Sequence, residues 1–480
     1  MSDSRIIKNA GIVFLGDNAL KILSMLLVFL IARSLGDSEY GKFSFIISFT
    51  GLFFMLLDLG TRILVIREVA EKKHEAPKII SNVICLKLLL SLVTYTIIGT
   101  TAFLLGYAKE TLIGILIAAL GIVFDSFAAT LESLYQAFER MEYSSILKVG
   151  RVILRFGITL PFLSMGFMPV LIAYVAVQFL NLVVSLYFAS RLIKPTFSAD
   201  RKYMIDLVKR SFPFLLSGLF VSLYFRIDIT LMSKLAPEAL SGFYSHATRD
   251  AIIGWYSASY NILDGMISVA VAVSAALLPA AVNMAKSAPE KLEELYKTSV
   301  RYLSYISIPA ATGIFLLADK IIFLVYQDKY AGSALALQIL IWTIVPLYIN
   351  YILGAMNIVL HQEKLGLIVL FLNCLVNIGL NLYLIPRYSL YGAAVATVLT
   401  EVFYFAGYYI ILRRTFKNID FLFLVKPVFS AAVMAFVILY VSLPLFFSIA
   451  IGGVTYITLM VLLRAISIEE IKKTLGALKR

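Results

Sequence analysis

Apolar residues run through this chain in long stretches separated by short polar breaks. Fourteen stretches of membrane-spanning length fall at 6–32, 43–66, 79–105, 111–137, 147–166, 169–190, 211–235, 251–282, 302–318, 334–360, 364–386, 391–412, 423–441 and 443–463. A helix needs roughly 20 mainly apolar residues to cross a bilayer. Inside hydrocarbon the backbone must satisfy its own hydrogen bonds, which favours helices. The pattern therefore predicts an all-α integral membrane protein of about fourteen transmembrane helices. The longest polar interval, 191–210, has Tyr203, Ile205, Leu207 and Val208 among Arg201, Lys202, Lys209 and Arg210. That pattern suits an amphipathic helix on the cytoplasmic face, and 466–480 reads the same way.

Charge refines the topology. Of 480 residues 61% are apolar, yet the formal charge is +13, from 42 Lys+Arg against 29 Asp+Glu. In a soluble protein such an excess would suggest nucleic acid. Here it follows the loops, because cytoplasmic loops collect Lys and Arg. One alternating set of loops, containing both termini, carries 27 bases; the other carries 8, and 7 lie within spans. An error of one span would scramble this alternation. The expectation is a multi-pass protein of the cell membrane with both termini cytoplasmic. The first apolar run is too long for a cleaved signal and reads as the first span.

Six-span halves recur. Ser34–Gly41 after span one resembles Lys234–Gly242 after span seven, and Gln136–Glu142 resembles Asn357–Glu363, 221 residues later. Ala173–Ala176 and Ala393–Ala396 keep an offset of 220. Because six is even, the halves share one orientation, a parallel repeat about an axis along the membrane normal. The expected domains are an N-lobe (1–190, spans one to six), the linker (191–210) and a C-lobe (211–413, spans seven to twelve). Spans thirteen and fourteen with an amphipathic tail complete the chain (414–480).

Several chemistries are disfavoured. Gly36–Lys42 fits G-x4-G-K, but Phe43 stands where a phosphate loop needs Ser or Thr, and Asp37 and Glu39 would repel phosphate. Nucleotide binding is rejected. Cys85 and Cys374 sit in mid-span, so a disulfide framework is not expected. His74, His246 and His361 are scattered without metal-ligand spacing.

Ionisable groups inside spans are costly unless paired or wet, which marks them as functional candidates. Asp17/Lys21 and Asp58/Arg62 are i, i+4 pairs, read either as structural neutralisation or as gating and coupling elements. Lys148, Arg151 and Arg155 fall at i, i+3, i+7 on span five and share one face. No acid lies on that span. With Lys87 they leave the first half cationic. Lys148 can snorkel; Arg155 is deeper. The face either lines an aqueous cavity for an anion or pairs with Asp125 and Glu132. The second half sets Arg226 against Asp228, Asp264 and Glu401. Asn373, Asn377 and Asn381 stack near Thr397, Thr400 and Glu401, as an interhelical hydrogen-bond seam or as ligands for Na⁺ or H⁺. Prolines 161, 213, 279, 309, 346 and 386 lie in or near spans, where they can kink helices and free carbonyls.

Ala32, Leu35-Gly36, Tyr40-Gly41, Phe43, Asp58-Leu59-Gly60 and Arg67-Glu68 together resemble the polysaccharide (O-antigen) flippase family of the multidrug/oligosaccharidyl-lipid/polysaccharide exporter superfamily. Leu317–Ile322 through Tyr330 and Gly392-Ala393-Ala394 look like its second-half motifs, although a Gly is often expected where Gln327 stands. The resemblance spans nearly the whole chain. It implies two six-helix lobes in a V around a central cationic cavity. It also implies export of an isoprenoid-pyrophosphate-linked oligosaccharide to the outer leaflet by alternating access.

The cavity candidates read from the residues are Lys87, Lys148, Arg151, Arg155 and Arg226. The ion-coupling candidates are Asp17, Asp58, Glu401, Asn373 and Asn377. No catalytic residue, metal or cofactor is expected beyond Na⁺ or H⁺ coupling. Expected partners are the lipid-linked oligosaccharide, membrane lipids, and the polymerase or glycosyltransferases of the same pathway; nucleic acid is not one. Three rivals stand. A drug or organic-cation antiporter of the same superfamily would want a net acidic cavity. A membrane-embedded glycan-processing enzyme would want a larger extramembrane loop. A scaffold would tolerate loss of Arg151 and Arg155.

Overall fold

A computed structural model describes residues 3–237, 247–416, 421–441 and 443–466, with side chains from Ala19 onward. Its secondary structure is helical, and no strand occurs among the described residues. In chain order the helices are α1 (Asp3–Leu35), α2 (Asp37–Leu52), α3 (Phe54–Asp58), α4 (Thr61–Glu71), α5 (Ala76–Leu104), α6 (Lys109–Ala137), α7 (Met141–Thr159) and α8 (Phe167–Leu192). They continue with α9 (Arg201–Leu235), α10 (Arg249–Ser287), α11 (Pro289–Tyr326), α12 (Ser333–Leu340), α13 (Ile344–Val359), α14 (Glu363–Leu412), α15 (Val425–Val441) and α16 (Leu445–Leu462). Among the described residues, eleven segments are long and apolar enough to cross a membrane. These take α2 to α4 as one segment and α14 as one, and include neither α1 nor α7. The fourteen stretches of the sequence include α1 and α7 and divide α14, whose backbone breaks at Ser389 (φ 53°, ψ −133°).

The chain forms two compact units that divide after Ser257. In the first, α6 packs against α2, α4, α5 and α8, and α2 also packs against α9. Its core joins Val65 and Val69 of α4, Val83 of α5, Leu131 and Leu134 of α6, and Leu207 of α9. In the second, α11 packs against α12, α13, α15 and α16. Tyr305, Leu317, Met434 and Met460 are buried there, and Tyr456 donates its hydroxyl to the Tyr305 carbonyl at 2.9 Å. Large apolar side chains such as Leu88, Leu92 and Phe103 point outward. In water such a surface would drive association; in a bilayer it meets hydrocarbon.

The internal repeat is visible in the turns. Gly106, Glu139 and Gly166 have positive φ, and so do Gln327, His361 and Ser389, which lie 221, 222 and 223 residues later. The α6–α7 turn bonds Arg140 N–H to the Tyr135 carbonyl at 2.9 Å, and the α13–α14 turn bonds Gln362 N–H to the Asn357 carbonyl at 2.9 Å. Both are helix ends closed by a left-handed residue. Sequence similarity pairs Gln136 with Asn357; the hydrogen bonds pair Tyr135 with it, one residue earlier.

The 191–210 segment differs from its expectation. Asp200 caps α9 by accepting from the N–H groups of Lys202 and Tyr203 at 3.0 and 3.2 Å. No break follows, and Pro213 lies inside the helix. Residues 201–210 are thus the first turns of α9 rather than a separate surface helix. Leu207 is fully buried, and Tyr203 and Arg210 both reach Glu68. The amphipathic stretch expected at 466–480 lies beyond Ile466 outside the described residues, as do residues 238–242 of the second repeat motif and the Asp17 side chain.

Candidate functional site

On α7, Arg151 and Arg155 face α6 and α8. Arg151 Nη1 comes within 4.0 Å of Asp125 Oδ1 on α6. Gln178 on α8 donates to the other Asp125 oxygen at 2.6 Å. Arg155 donates to the Tyr174 hydroxyl at 3.0 Å, and its guanidinium carbon lies 4.4 Å from that ring's centroid. Tyr174 in turn packs edge-on against Phe43 of α2. The carboxylate thus stands beside Arg151, while Arg155 is met by a neutral hydroxyl and an aromatic ring. The Nε atoms of both arginines are buried without a hydrogen-bond partner, and Asp125 Oδ1 accepts no hydrogen bond. Buried donors normally find partners, so this cluster holds spare donor capacity as well as excess positive charge. The Arg151 side chain remains 33% exposed, open to a ligand. Lys148, one turn earlier, is exposed.

The other first-half charges are arranged differently from the sequence pairing. Asp58 ends α3, Leu59 and Gly60 are both left-handed (φ 51° and 69°), and α4 starts at Thr61. Two left-handed residues in succession break the i, i+4 relation between Asp58 and Arg62. Asp58 turns to α5, where Lys87 Nζ lies 3.2 Å away and also donates to the Ser126 carbonyl at 3.0 Å. Arg62 instead pairs with Glu132 on α6 at 3.6 Å. Lys87, a cavity candidate from the sequence, is 1% exposed, and Asp58, an ion-coupling candidate, neutralises it. Arg226 on α9 packs against Gly51 of α2, where a Cβ would lie 2.9 Å from its Nη1. It is half-buried.

In the second unit the break at Ser389 lies between the two stretches of α14 that carry the polar residues. Asn377 donates to the Thr400 hydroxyl at 3.4 Å, and Asn381 to the Asn377 carbonyl at 2.9 Å. Asn350 of α13 donates to Glu401 Oε2 at 2.6 Å. Asn373 is fully buried and neither of its side-chain polar atoms has a partner. The interhelical seam forms, then, but with an unfilled amide in it.

Tyr174, Gln178 and Asn350 were not singled out by the sequence. The available signal was the i, i+4 spacing of Tyr174 and Gln178 in an otherwise apolar span. The G-x4-G-K stretch has a packing explanation. Asp37 accepts from Trp255 Nε1 at 3.1 Å and Glu39 from Phe167 N–H at 2.9 Å. Gly41 permits close approach, since a Cβ there would lie 1.8 Å from the Asp250 carbonyl oxygen of α10.

Comparison with known proteins agrees with this architecture. A family described as polysaccharide biosynthesis protein matches residues 6–285. The probable low-salt glycan biosynthesis flippase Agl15 of Haloferax volcanii is 24% identical over 398 residues, covering 82% of this chain and 78% of Agl15. The lipid II flippase MurJ in an inward closed conformation has a TM-score of 0.79 at 17% identity, covering 94% of this chain and 98% of MurJ. An inward-facing multidrug resistance MATE family transporter of the MOP superfamily has a TM-score of 0.60 at 18% identity, covering 82% of this chain and 94% of the transporter. These likenesses give the fold; the family match, which extends over more than half of the sequence, places this multi-pass membrane protein in the polysaccharide biosynthesis protein family.

Proposed function

We propose that this protein is a transporter that moves an isoprenoid-pyrophosphate-linked oligosaccharide from the cytoplasmic to the outer leaflet by alternating access across fourteen spans, with both termini cytoplasmic. The observation that carries the reading is the pair of α7 arginines, with buried unpartnered Nε atoms, Arg151 beside Asp125 and Arg155 on the neutral Tyr174. A pyrophosphate and a hydroxyl-rich sugar chain cross hydrocarbon only at great cost. Guanidinium groups fit phosphate oxygens with planar, paired donors. Arg151 and Arg155 would hold the head group, Tyr174 would fix the plane of Arg155, and Lys148 and Arg226 would add charge along the path. Lys87 has its charge cancelled and takes a structural part.

Coupling to Na⁺ or H⁺ would run through Glu401, Asn373 and Asn377, with Asp17 and Asp58 as weaker candidates. The buried Glu401 also favours a second reading, an ion-coupled antiporter of organic cations. The two readings separate at Arg155. Cells depleted of the protein would be complemented with wild type, Arg155→Ala or Arg155→Lys, and outer-leaflet lipid-linked oligosaccharide measured. On the flippase reading, Ala reduces export by about 10- to 100-fold, from the loss of one charged hydrogen bond of about 1.5–3 kcal/mol, and Lys restores part of it. Export that persists after depletion, or full rescue by Ala, would leave the antiporter reading in its place.

A further inference from the structure

The first unit contains an apolar slot that the transport reading does not use. It is about 280 Å³ in volume and lies at the start of α5 and the ends of α6 and α8. Ile80, Ile84 and Leu88 of α5, Leu131 of α6, Leu186 of α8 and Ile193 of the following segment line it. That segment, 193–200, is non-helical, and it is fastened across α5. Ser81 Oγ donates to the Ser198 carbonyl at 3.1 Å and accepts from Ser198 N–H at 2.7 Å. Asn82 Oδ1 accepts from Asp200 N–H at 2.6 Å, and Asn82 Nδ2 donates to Ser198 Oγ at 3.2 Å. Four hydrogen bonds hold one wall in place, so the slot is built before anything enters it.

Its margin is basic. Lys78 follows the lining residue Pro77, and Lys194 stands between the lining residues Ile193 and Pro195. Both lysines are exposed. The nearby acids are engaged elsewhere: Glu75 lies beside Lys72 and His74, and Asp200 caps α9. We propose that this slot is a binding site for an anionic two-chain membrane phospholipid, with one hydrocarbon chain in the slot and the phosphate at Lys78 and Lys194. An apolar pocket in a membrane helix bundle, bordered by uncompensated lysines, recognises that combination of chain and charge. Such a lipid would fasten the 193–200 segment to α5 and α8 at the point where the halves are joined.

Cys85 reports on occupancy, since it lines the slot and is half-buried, whereas Cys374 is buried. The full chain, purified in detergent, would be titrated with phosphatidylglycerol or with phosphatidylcholine of the same chains, following maleimide labelling of Cys85 and lipid adducts by native mass spectrometry. Phosphatidylglycerol should protect Cys85 and be retained. Lys78→Ala with Lys194→Ala should weaken its apparent affinity by on the order of tenfold or more, since each base near an anionic lipid contributes severalfold. Ile84→Trp should fill the slot, slow labelling without lipid, and abolish the adduct. Equal protection by both lipids, unchanged in the double variant, would overturn the proposal. So would protection by an isoprenyl phosphate alone, which would give the slot to the tail of a transported lipid.

Discussion

At the scale of single residues, the buried pair of Lys87 and Asp58 tests how this protein carries charge in its interior. Lys87 is 1% exposed and Asp58 6% by side chain. Removing one partner of such a pair leaves the other uncompensated, typically at about 3–5 kcal/mol, whereas replacing both by apolar groups is often close to neutral. Lys87→Met should therefore strongly lower the unfolding midpoint of the purified protein, and Lys87→Met with Asp58→Leu should recover most of it. Arg62 is 42% exposed, so Arg62→Gln should cost less than about 1 kcal/mol. Unfolding followed by tryptophan fluorescence makes the comparison. A Lys87→Met variant as mild as Arg62→Gln would mean that water reaches the pair, and would return Lys87 to the cavity candidates.

At the scale of elements, helix ends hold the information that hydropathy lacks. Gln327 closes α11 with φ 68° and ψ −171°, a region essentially reserved for glycine. The family resemblance carries the expectation of a Gly at this position, and the backbone adopts a glycine conformation without the glycine. Such a residue costs of order 1–3 kcal/mol. Gln327→Gly should raise the unfolding midpoint, and Gln327→Ala should not, because it keeps the Cβ that causes the strain. A gain for both would locate the effect in the glutamine side chain instead. The helices themselves were legible in the sequence because hydrocarbon demands long apolar runs. The α7 bases were legible because they recur at helical spacing without an acid on the same span. The Asp58–Arg62 pairing was misread because helical spacing assumes a continuous helix, and the two left-handed residues at Leu59 and Gly60 redirect both side chains. Tyr174 and Gln178 escaped notice because a tyrosine and a glutamine in a span look ordinary until a guanidinium and a carboxylate are brought to them from other helices.

At the scale of the whole molecule, charge decides direction. The alternation of 27 bases on one set of loops and 8 on the other supports the proposed orientation, with the termini in the cytoplasm, by the bias of short loops. On the proposed function, the fixed arginines stay with the protein while the anionic cargo moves outward. The membrane potential is negative inside, so outward movement of an anion is downhill. For a head group with about two negative charges, the gain is about 4–5 kcal/mol per 100 mV. A cation coupled inward through the Glu401 and Asn377 seam would add to the same charge movement, whereas one leaving with the cargo would cancel it. Collapsing the potential with valinomycin and matched K⁺, at constant pH and Na⁺, should therefore slow outer-leaflet appearance of the lipid-linked glycan severalfold. Arg155→Lys, which conserves charge, should retain the same potential dependence at a lower rate. Export indifferent to the potential would mean that counter-ions travel with the cargo, so that the seam exports cations alongside the glycan instead of admitting them.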